Sequence, residues 1–363
     1  MSENKTNTMK IAGVDSHTFR RMKLGESSVE RGFQTPLGSC VVIDEKAYDM
    51  LREESYEIFS GLNQKYGINT VRPILPSSEI IRRLNPREGF RYIQEILKRL
   101  SDRVNLLHFS YVYLPFEEVR EIRVGGYRSP RKTLKPIDFI KSLESGFPYL
   151  TAWSYFFKQR ETTNMLLDDF SFKSTPAWED LIQYHREGKA KLDIIPKGDE
   201  CNYLICLADL FAYYTDIQLY NLRKLLLPSE IQEIYRDLGV DVEINFLGKK
   251  DLSKIKWTSS GNIDTSSYIH HPIVFILSDK KASIFSSTEA YDYLIAYATY
   301  NNAGLQFLQI TDRKGLARIR DGDILVVIGE NARKEASYWR NSFELELLTP
   351  LEIKKRMKDL VSR

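Results

Sequence analysis

A single acidic residue interrupts an apolar run in the middle of the chain. Residues 203–214 read Tyr-Leu-Ile-Cys-Leu-Ala-Asp-Leu-Phe-Ala-Tyr-Tyr, in which Asp209 is the only ionisable carboxylate. The spacing is helical and nearly every side is apolar, so we expect this helix to be largely buried. Burying an ionised carboxylate is costly unless it is paired or binds a metal. The pattern therefore predicts a metal ion, or a buried arginine or lysine, beside Asp209.

Four further acidic residues are candidate metal ligands, because each follows an apolar strand pattern or opens a helix. They are Asp15, Asp168, Asp169 and Glu79. Carboxylates from the ends of adjacent strands, joined by one from a helix, are the oxygen ligands that Mg²⁺ and Mn²⁺ prefer. Two such ions about 4 Å apart can activate a water and stabilise the leaving oxygen when a phosphodiester is cleaved. With Asp209, these residues form the candidate metal site.

Each of these residues also has a structural interpretation. Asp15 can cap a turn at the end of its strand, and the Asp168–Asp169 pair can form a turn. Glu79 is equally suited to the first turn of a helix, where the dipole favours acidic residues. His17 can assist proton transfer or contact a phosphate, or it can be an ordinary loop histidine. The pair His270–His271 has no carboxylate or cysteine at ligand spacing, and we interpret it as structural.

A basic stretch offers a candidate nucleic-acid contact. Its six cations are opposed by one acidic residue, Glu121, and they are Arg120, Arg123, Arg128, Arg131, Lys132 and Lys135. Glycines and a proline divide the stretch, which predicts a loop or an exposed hairpin. Such a segment can follow a phosphate backbone, and the structural alternative is an ordinary solvated loop.

The elements that would position these residues alternate between strands and helices. In the first part of the chain, apolar runs predict strands over 10–14, 38–43, 104–113, 164–167 and 191–195. Helical spacing predicts helices over about 45–62, 86–100, 136–159, 178–186, 203–227 and 228–239. A βαβ-like alternation after residue 265 predicts a small second α/β domain that is Rossmann-like in outline. We place the two domains at residues 1–245 and 246–363.

Composition sets bounds on the class of protein. The chain has 363 residues and a net charge of +3, which fits two domains and neither demands nor excludes nucleic acid. The sequence has no apolar run long enough to span a membrane, and its first ten residues have no apolar signal region. Three scattered cysteines favour reduced thiols in a cytoplasmic protein. The motifs of P-loop enzymes, serine hydrolases, zinc proteases and dinucleotide-binding folds are missing from the sequence.

The order of these motifs resembles a domain-of-unknown-function family within the RNase H-like (retroviral integrase) superfamily. The last helix of that family carries L-Q-x-A-D-L-x-A-Y, and the A-D-L-x-A-Y part matches residues 208–213. The family's opening D-E-S-G reads Asp-Ser-His-Thr here, from Asp15 onward. The resemblance covers roughly residues 8–225. It implies a mixed sheet flanked by helices, with Asp15, Asp168 and Asp209 as catalytic, metal-binding carboxylates and Asp169 as the alternative to Asp168.

Three hypotheses for function follow. The first is a metal-dependent nuclease that uses Mg or Mn and binds RNA or DNA through the basic stretch. The second is a non-catalytic RNase H-like module that binds nucleic acid or a protein partner. The third is a nucleotide-sensing regulator whose C-terminal domain binds the ligand. All three describe a cytoplasmic protein with no membrane partner, and homo-oligomerisation stays open.

Overall fold

The structure, a computed structural model, describes the following parts of the chain. These are residues 9–17, 32–34, 37–115, 122–126, 129–134, 136–158, 162–168, 174–221, 228–236, 238–252, 255, 257–259, 271–279, 289–340 and 346–361.

Strands and helices alternate along most of the chain. The strands are β1 (Lys10–His17), β2 (Gly32–Gln34), β3 (Leu37–Asp44), β4 (Leu106–Pro115), β5 (Ile122–Gly126), β6 (Ser129–Leu134), β7 (Thr163–Asp168), β8 (Ser174–Pro176), β9 (Ala190–Ile195), β10 (Val242–Leu247), β11 (Trp257–Ser259), β12 (Ile273–Ser278), β13 (Gly304–Gln309), β14 (Ile324–Ile328) and β15 (Glu346–Leu348). The helices are α1 (Tyr48–Lys65), α2 (Ser77–Arg83), α3 (Pro86–Leu100), α4 (Pro136–Lys158), α5 (Trp178–Arg186), α6 (Gly198–Cys201), α7 (Tyr203–Asn221), α8 (Pro228–Arg236), α9 (Lys249–Leu252), α10 (Glu289–Tyr300), α11 (Arg313–Leu316), α12 (Glu330–Arg340) and α13 (Pro350–Val361).

The first sheet is mixed and has the strand order β10-β4-β3-β1-β7-β9, with β2 paired to β4. Strand β1 is antiparallel to β3 and parallel to β7, and β7 is parallel to β9. The parallel neighbours are joined through α5 or reached through long connections, as parallel pairing requires. The predicted mixed α/β architecture, a mixed sheet flanked by helices, is confirmed.

Helices cover both faces of this sheet. Alternation along β1 sends Ile11 into a core shared with α1, α3 and α7, and sends Ala12 into a core shared with α4 and α5. Helix α7 lies against β1 at Gly13, where a Cβ would sit 2.5 Å from the Leu204 carbonyl oxygen. The missing side chain of Gly13 is therefore what allows the helix that carries Asp209 to approach the sheet.

The second sheet is parallel and has the order β13-β12-β14-β15. Its strands are buried on both faces, which explains their continuous apolar runs such as Ile273–Leu277. Helices α10 and α13 pack together on one face, and α12 packs against the other. The predicted βαβ-like alternation thus produces a small α/β unit.

The first unit extends past the predicted boundary at 245/246, which falls inside β10. Strand β10 continues to Leu247, and β11 pairs with β8 over 257–259. Both Leu252 and Ile255 belong to the core beneath α4. The division between the two sheets therefore lies between β11 and β12.

All three cysteines are free and buried, as their scattered positions predicted. In the parts of the chain that the structure describes, no helix combines the length and apolar character needed to cross a bilayer.

Candidate functional site

Asp15 and Asp168 lie side by side on adjacent parallel strands. The register pairs Val14 with Leu167, so the next residue on each strand is one of these aspartates. Both Val14 and Leu167 point into the α4 core, and the alternation of a strand therefore turns Asp15 and Asp168 toward α7. Asp15 lies inside β1, which continues to His17, and it does not cap a turn after the strand. Both aspartates are buried, with exposed fractions of 6% and 7%.

Asp209 approaches the same face of the sheet from α7. Its helix is buried as predicted, and 7% of Asp209 remains exposed. Both of its carboxylate oxygens accept hydrogen bonds from Ser77, one from the backbone N–H at 2.6 Å and one from the hydroxyl at 2.9 Å. These donors are at the start of α2, so the hydrogen-bond partner that the structure describes for Asp209 is a serine.

A fourth acidic residue, Asp199 in the short helix α6, was not among the predicted ligands. The backbone N–H of its neighbour Gly198 donates to Asp168 Oδ1 at 3.0 Å, which brings α6 to the end of β7. A Cβ on Gly198 would lie 3.3 Å from the Asp168 Cα, so the contact is close. The available signal was weak, because Asp199 comes four residues after the end of strand β9 at Ile195.

These four residues, Asp15, Asp168, Asp199 and Asp209, form what we call the carboxylate cluster. Burial, followed by repulsion from the other three, raises the pKa of Asp15 well above its usual range. Burial and repulsion from Asp168, Glu200 and Asp209 likewise raise the pKa of Asp199. Burial also raises the pKa of Asp209, although His17 and the Ser77 hydrogen bonds oppose this. Acidic groups held so close together favour either protons or a cation between them.

The chemistry of the cluster suits a hard divalent cation, since its donors are carboxylate oxygens. Within the described part of the chain, no three His, Cys, Asp or Glu side chains form a group already able to hold a metal ion. Asp15, Asp168 and Asp209 each accept at least one hydrogen bond, from Ser16, Gly198 and Ser77 respectively. Each carboxylate oxygen has two lone pairs, so these hydrogen bonds by themselves do not use all the acceptor sites of the three carboxylates.

His17 lies beside the cluster and is held in place. Its Nε2 is 3.4 Å from Asp216 Oδ2, and its ring meets the Tyr213 ring edge-on with centroids 5.0 Å apart. Its side chain retains 18% exposure, and it lowers the pKa of Asp209 electrostatically. A histidine in this position can donate or accept a proton at the edge of the cluster.

The structure places Glu79 in a group of arginines. Its Oε2 accepts from Arg82 at 2.6 Å and from Arg83 at 3.3 Å, and Arg72 lies 4.0 Å away. Burial would raise the pKa of Glu79, but the Arg82 hydrogen bond and the three positive charges outweigh it and lower the pKa. A carboxylate engaged in this way serves to hold arginines, and its predicted role as a metal ligand has no contact to support it.

Half of the predicted nucleic-acid residues lie on an antiparallel hairpin. Arg123 is on β5, and Arg131 and Lys132 are on β6, with Val124 opposite Lys132. The predicted alternative of a hairpin therefore applies to the described residues 122–126 and 129–134. Four predicted residues lie outside the described part of the chain, namely Arg120, Arg128, Lys135 and the candidate ligand Asp169.

His271 has a carboxylate partner that is far away in sequence. Its Nδ1 lies 2.9 Å from Asp193 Oδ2 on β9, and both side chains are buried. The pair links the region just before β12 to the first sheet. This contact agrees with the structural interpretation of His271, and His270 lies outside the described residues.

Comparison with known proteins identifies a family whose function is unknown. The model of a domain of unknown function, DUF8203, matches residues 25–266, two thirds of the chain. The chain belongs to the DUF8203 family. The matched region includes Asp168, Asp199 and Asp209, together with β10 and β11, and it ends before the parallel sheet.

A relative of similar length occurs in an archaeon. An uncharacterised protein of Archaeoglobus fulgidus is 24% identical over 334 residues, which cover 89% of this chain and 95% of the relative. An alignment of that length must include part of the parallel sheet unit, so the similarity extends over both sheets. No solved structure matches the chain.

Proposed function

We propose that this chain is a metal-dependent nuclease with an RNase H-like first domain and a Rossmann-like second domain. The carboxylate cluster carries the proposal, because acidic side chains from two adjacent strands and two helices repel one another, and three of the four are buried. A protein keeps such an arrangement at a cost in stability, which is typical of a functional site. The mixed sheet flanked by helices supports the RNase H-like resemblance.

Mg or Mn would be held by Asp15, Asp168 and Asp209, with Asp199 as a further carboxylate. When bound, such an ion supplies Lewis-acid chemistry that activates water and stabilises the leaving oxygen of a phosphodiester. Ser77 fixes the Asp209 carboxylate through two hydrogen bonds, so this side chain is oriented before any ligand arrives. His17 can take up or release a proton at the edge of the cluster, and Asp216 orients its ring.

The basic hairpin would contact the substrate. Arg123, Arg131 and Lys132 lie on its described strands, and phosphate contacts from such residues give sequence-independent affinity that falls with salt. The proposed partner is therefore RNA or DNA.

Cleavage assays test this proposal directly. Single- and double-stranded RNA, DNA and hybrid duplexes are incubated with Mg²⁺ or Mn²⁺ and with wild type, Asp15→Asn, Asp168→Asn and Asp209→Asn. We expect metal-dependent cleavage by wild type and a loss on the order of 10³-fold or more in each variant. Asp241→Asn, at an exposed position on the same domain, is the matched control and retains wild-type activity. Cleavage that survives both Asp15→Asn and Asp209→Asn contradicts the mechanism.

A second candidate is a non-catalytic module that binds nucleic acid or a protein partner. The observation in its favour is that Ser77 already satisfies both oxygens of Asp209 and that burial favours the protonated form of this carboxyl. Titration calorimetry separates the two candidates. Mn²⁺ binding that is lost in Asp15→Asn and Asp199→Asn but kept in Asp241→Asn favours the nuclease, whereas undetectable Mn²⁺ binding by wild type favours the module.

A further inference from the structure

The turn that carries Asp199 is held by the C-terminal domain at both of its ends. At its beginning, the Leu305 backbone N–H donates to the Pro196 carbonyl oxygen at 2.8 Å. Gly304 lies so close to Pro196 that a Cβ on it would be 2.6 Å from the proline ring. The first residues of β13 therefore pack directly on the backbone that leads into α6.

At the other end, Arg72 connects Glu200 to helix α10. The Arg72 side chain is 1% exposed, and it donates to Glu200 at 3.0 Å and to Asp292 at 2.7 Å. Its guanidinium carbon lies 5.2 Å from the centroid of the Tyr291 ring, and the Tyr291 hydroxyl donates to Glu200 at 3.0 Å. A buried arginine fork is strongly directional, so these partners fix where Glu200 lies.

The same four-residue helix connects to the carboxylate cluster. Glu200 follows Asp199 directly, and Gly198 donates to Asp168. A shift of α6 would therefore move one cluster residue and release a hydrogen bond to another. The C-terminal domain contacts this segment at Pro196 and Glu200, two residues that take no part in the proposed chemistry.

We propose that Arg72, Tyr291 and Asp292 are positioning residues, through which the C-terminal domain sets the place of α6 and hence of Asp168 and Asp199. The second domain is then a structural part of the site. The kinetic consequence rests on the proposed nuclease function, whereas the placement of α6 does not.

Hydrogen exchange on the full-length chain tests the placement. Asp292→Asn removes the charged partner of Arg72, and Tyr291→Phe removes the hydroxyl that donates to Glu200. Asp292→Glu keeps the charge and is the conservative variant. We expect the amides of Gly198, Glu200 and Cys201 to exchange roughly tenfold faster in Asp292→Asn, with recovery in Asp292→Glu. Glu335→Gln, which breaks the exposed pair with Arg313 in the same domain, is the matched control and leaves these amides unchanged.

Kinetics provide the second measurement. If the wild type cleaves nucleic acid, Asp292→Asn should lower kcat on the order of 10- to 100-fold. The KM for the nucleic acid should stay unchanged within about twofold. Exchange at α6 that matches Glu335→Gln overturns the proposal, and so does faster exchange spread evenly through both sheets, which would indicate general destabilisation. If wild type cleaves no nucleic acid, the nuclease function fails while exchange at α6 still decides this inference.

Discussion

Ser77 holds both oxygens of Asp209, although the two residues are 132 positions apart in sequence. The backbone N–H of Ser77 and its hydroxyl each donate to a different carboxylate oxygen. Hydrogen bonds to the charged form favour it, but here burial dominates and the pKa of Asp209 is still raised. Hydrogen bonds from the start of α2 thus offset part of the cost of burying Asp209 in the apolar helix α7.

Ser77→Ala should destabilise the protein by about 1–3 kcal/mol, because it leaves Asp209 Oδ1 without its donor in a buried site. Urea unfolding measures the loss. Ser337→Ala is the matched control, since the Ser337 hydroxyl donates to the Lys334 carbonyl at an exposed position. The control should change stability by about 0.5 kcal/mol at most. Equal effects of the two substitutions would contradict the assigned role of Ser77.

Asp15→Asn should stabilise the protein in the absence of divalent cations. Burial and repulsion from Asp209, Asp199 and Asp168 raise the pKa of Asp15 above its ordinary value of 3.8. The unfolded chain therefore loses this proton at a lower pH than the folded protein, and folded stability falls as the pH rises above about 3.8. Asparagine carries no charge and can still accept from the Ser16 N–H.

We expect a gain on the order of 1 kcal/mol for Asp15→Asn at pH 7–8 and none below pH 4. Thermal and urea unfolding across this pH range measure it. Asp241→Asn, at an exposed site, should show no such gain. A loss of stability at pH 8 in EDTA would contradict the repulsion inferred for the cluster.

Local patterns in the sequence predicted most of the fold. Helix α5 spans Trp178–Arg186 as expected, and α3 begins at Pro86 behind Asn85, whose side chain accepts from two backbone N–H groups. The structure differs from the prediction where the sequence pattern is weak. The predicted strands were continuous apolar runs, and β10 was missed because Val242–Leu247 instead begins with alternating apolar and polar residues, as a half-buried edge strand does. Its burial depends on β4 and α8, which only the folded chain supplies.

The candidate site was only partly predictable for a related reason. Strand ends and an apolar helix indicated Asp15, Asp168 and Asp209, because those signals are local. The contacts of Asp199 and Ser77 depend on segments that are distant in sequence. Asp199 lies in a polar turn that is typical of any loop, and its proximity to Asp168 arises only because β9 pairs with β7. Glu79 was a candidate ligand because it opens a helix, but in the folded chain its carboxylate lies beside Arg72, Arg82 and Arg83.

His108 should contribute a loss of protein stability as the pH falls below about 6.5. This histidine is fully buried between Glu243 and Ser154, with both ring nitrogens 3.0 Å from their partners. Burial lowers the pKa of His108 below its ordinary 6.5, although Glu243 opposes the shift. Below that pH the unfolded chain binds a proton that the folded protein does not, so unfolding becomes more favourable. His108 does not affect the pH dependence of protein stability above about pH 7.

Replacing this histidine tests the assignment. His108→Gln loses hydrogen bonds and should be less stable at every pH, by about 1–3 kcal/mol. Its stability should nevertheless fall less steeply than that of wild type between pH 7.5 and 5.5, by about 1 kcal/mol. Urea unfolding at the two pH values gives the comparison. Parallel slopes would show that His108 does not cause the loss.

Gly13→Ala should disrupt the packing of α7 on the first sheet. A Cβ at this position would lie 2.5 Å from the Leu204 carbonyl oxygen and 2.6 Å from the Ile205 nitrogen, and helix backbone cannot yield as a side chain can. We expect a loss of about 3 kcal/mol or more, from overpacking that moves the helix carrying Asp209. Gly61→Ala is the matched control, because Gly61 lies within α1 and its Cβ would meet no atom within 4 Å. That substitution should stabilise by roughly 0.5–1 kcal/mol, since alanine favours a helix over glycine. Unfolding of both variants in urea checks the pair, and a Gly13→Ala protein as stable as wild type would mean that α7 does not rest on β1 at this position.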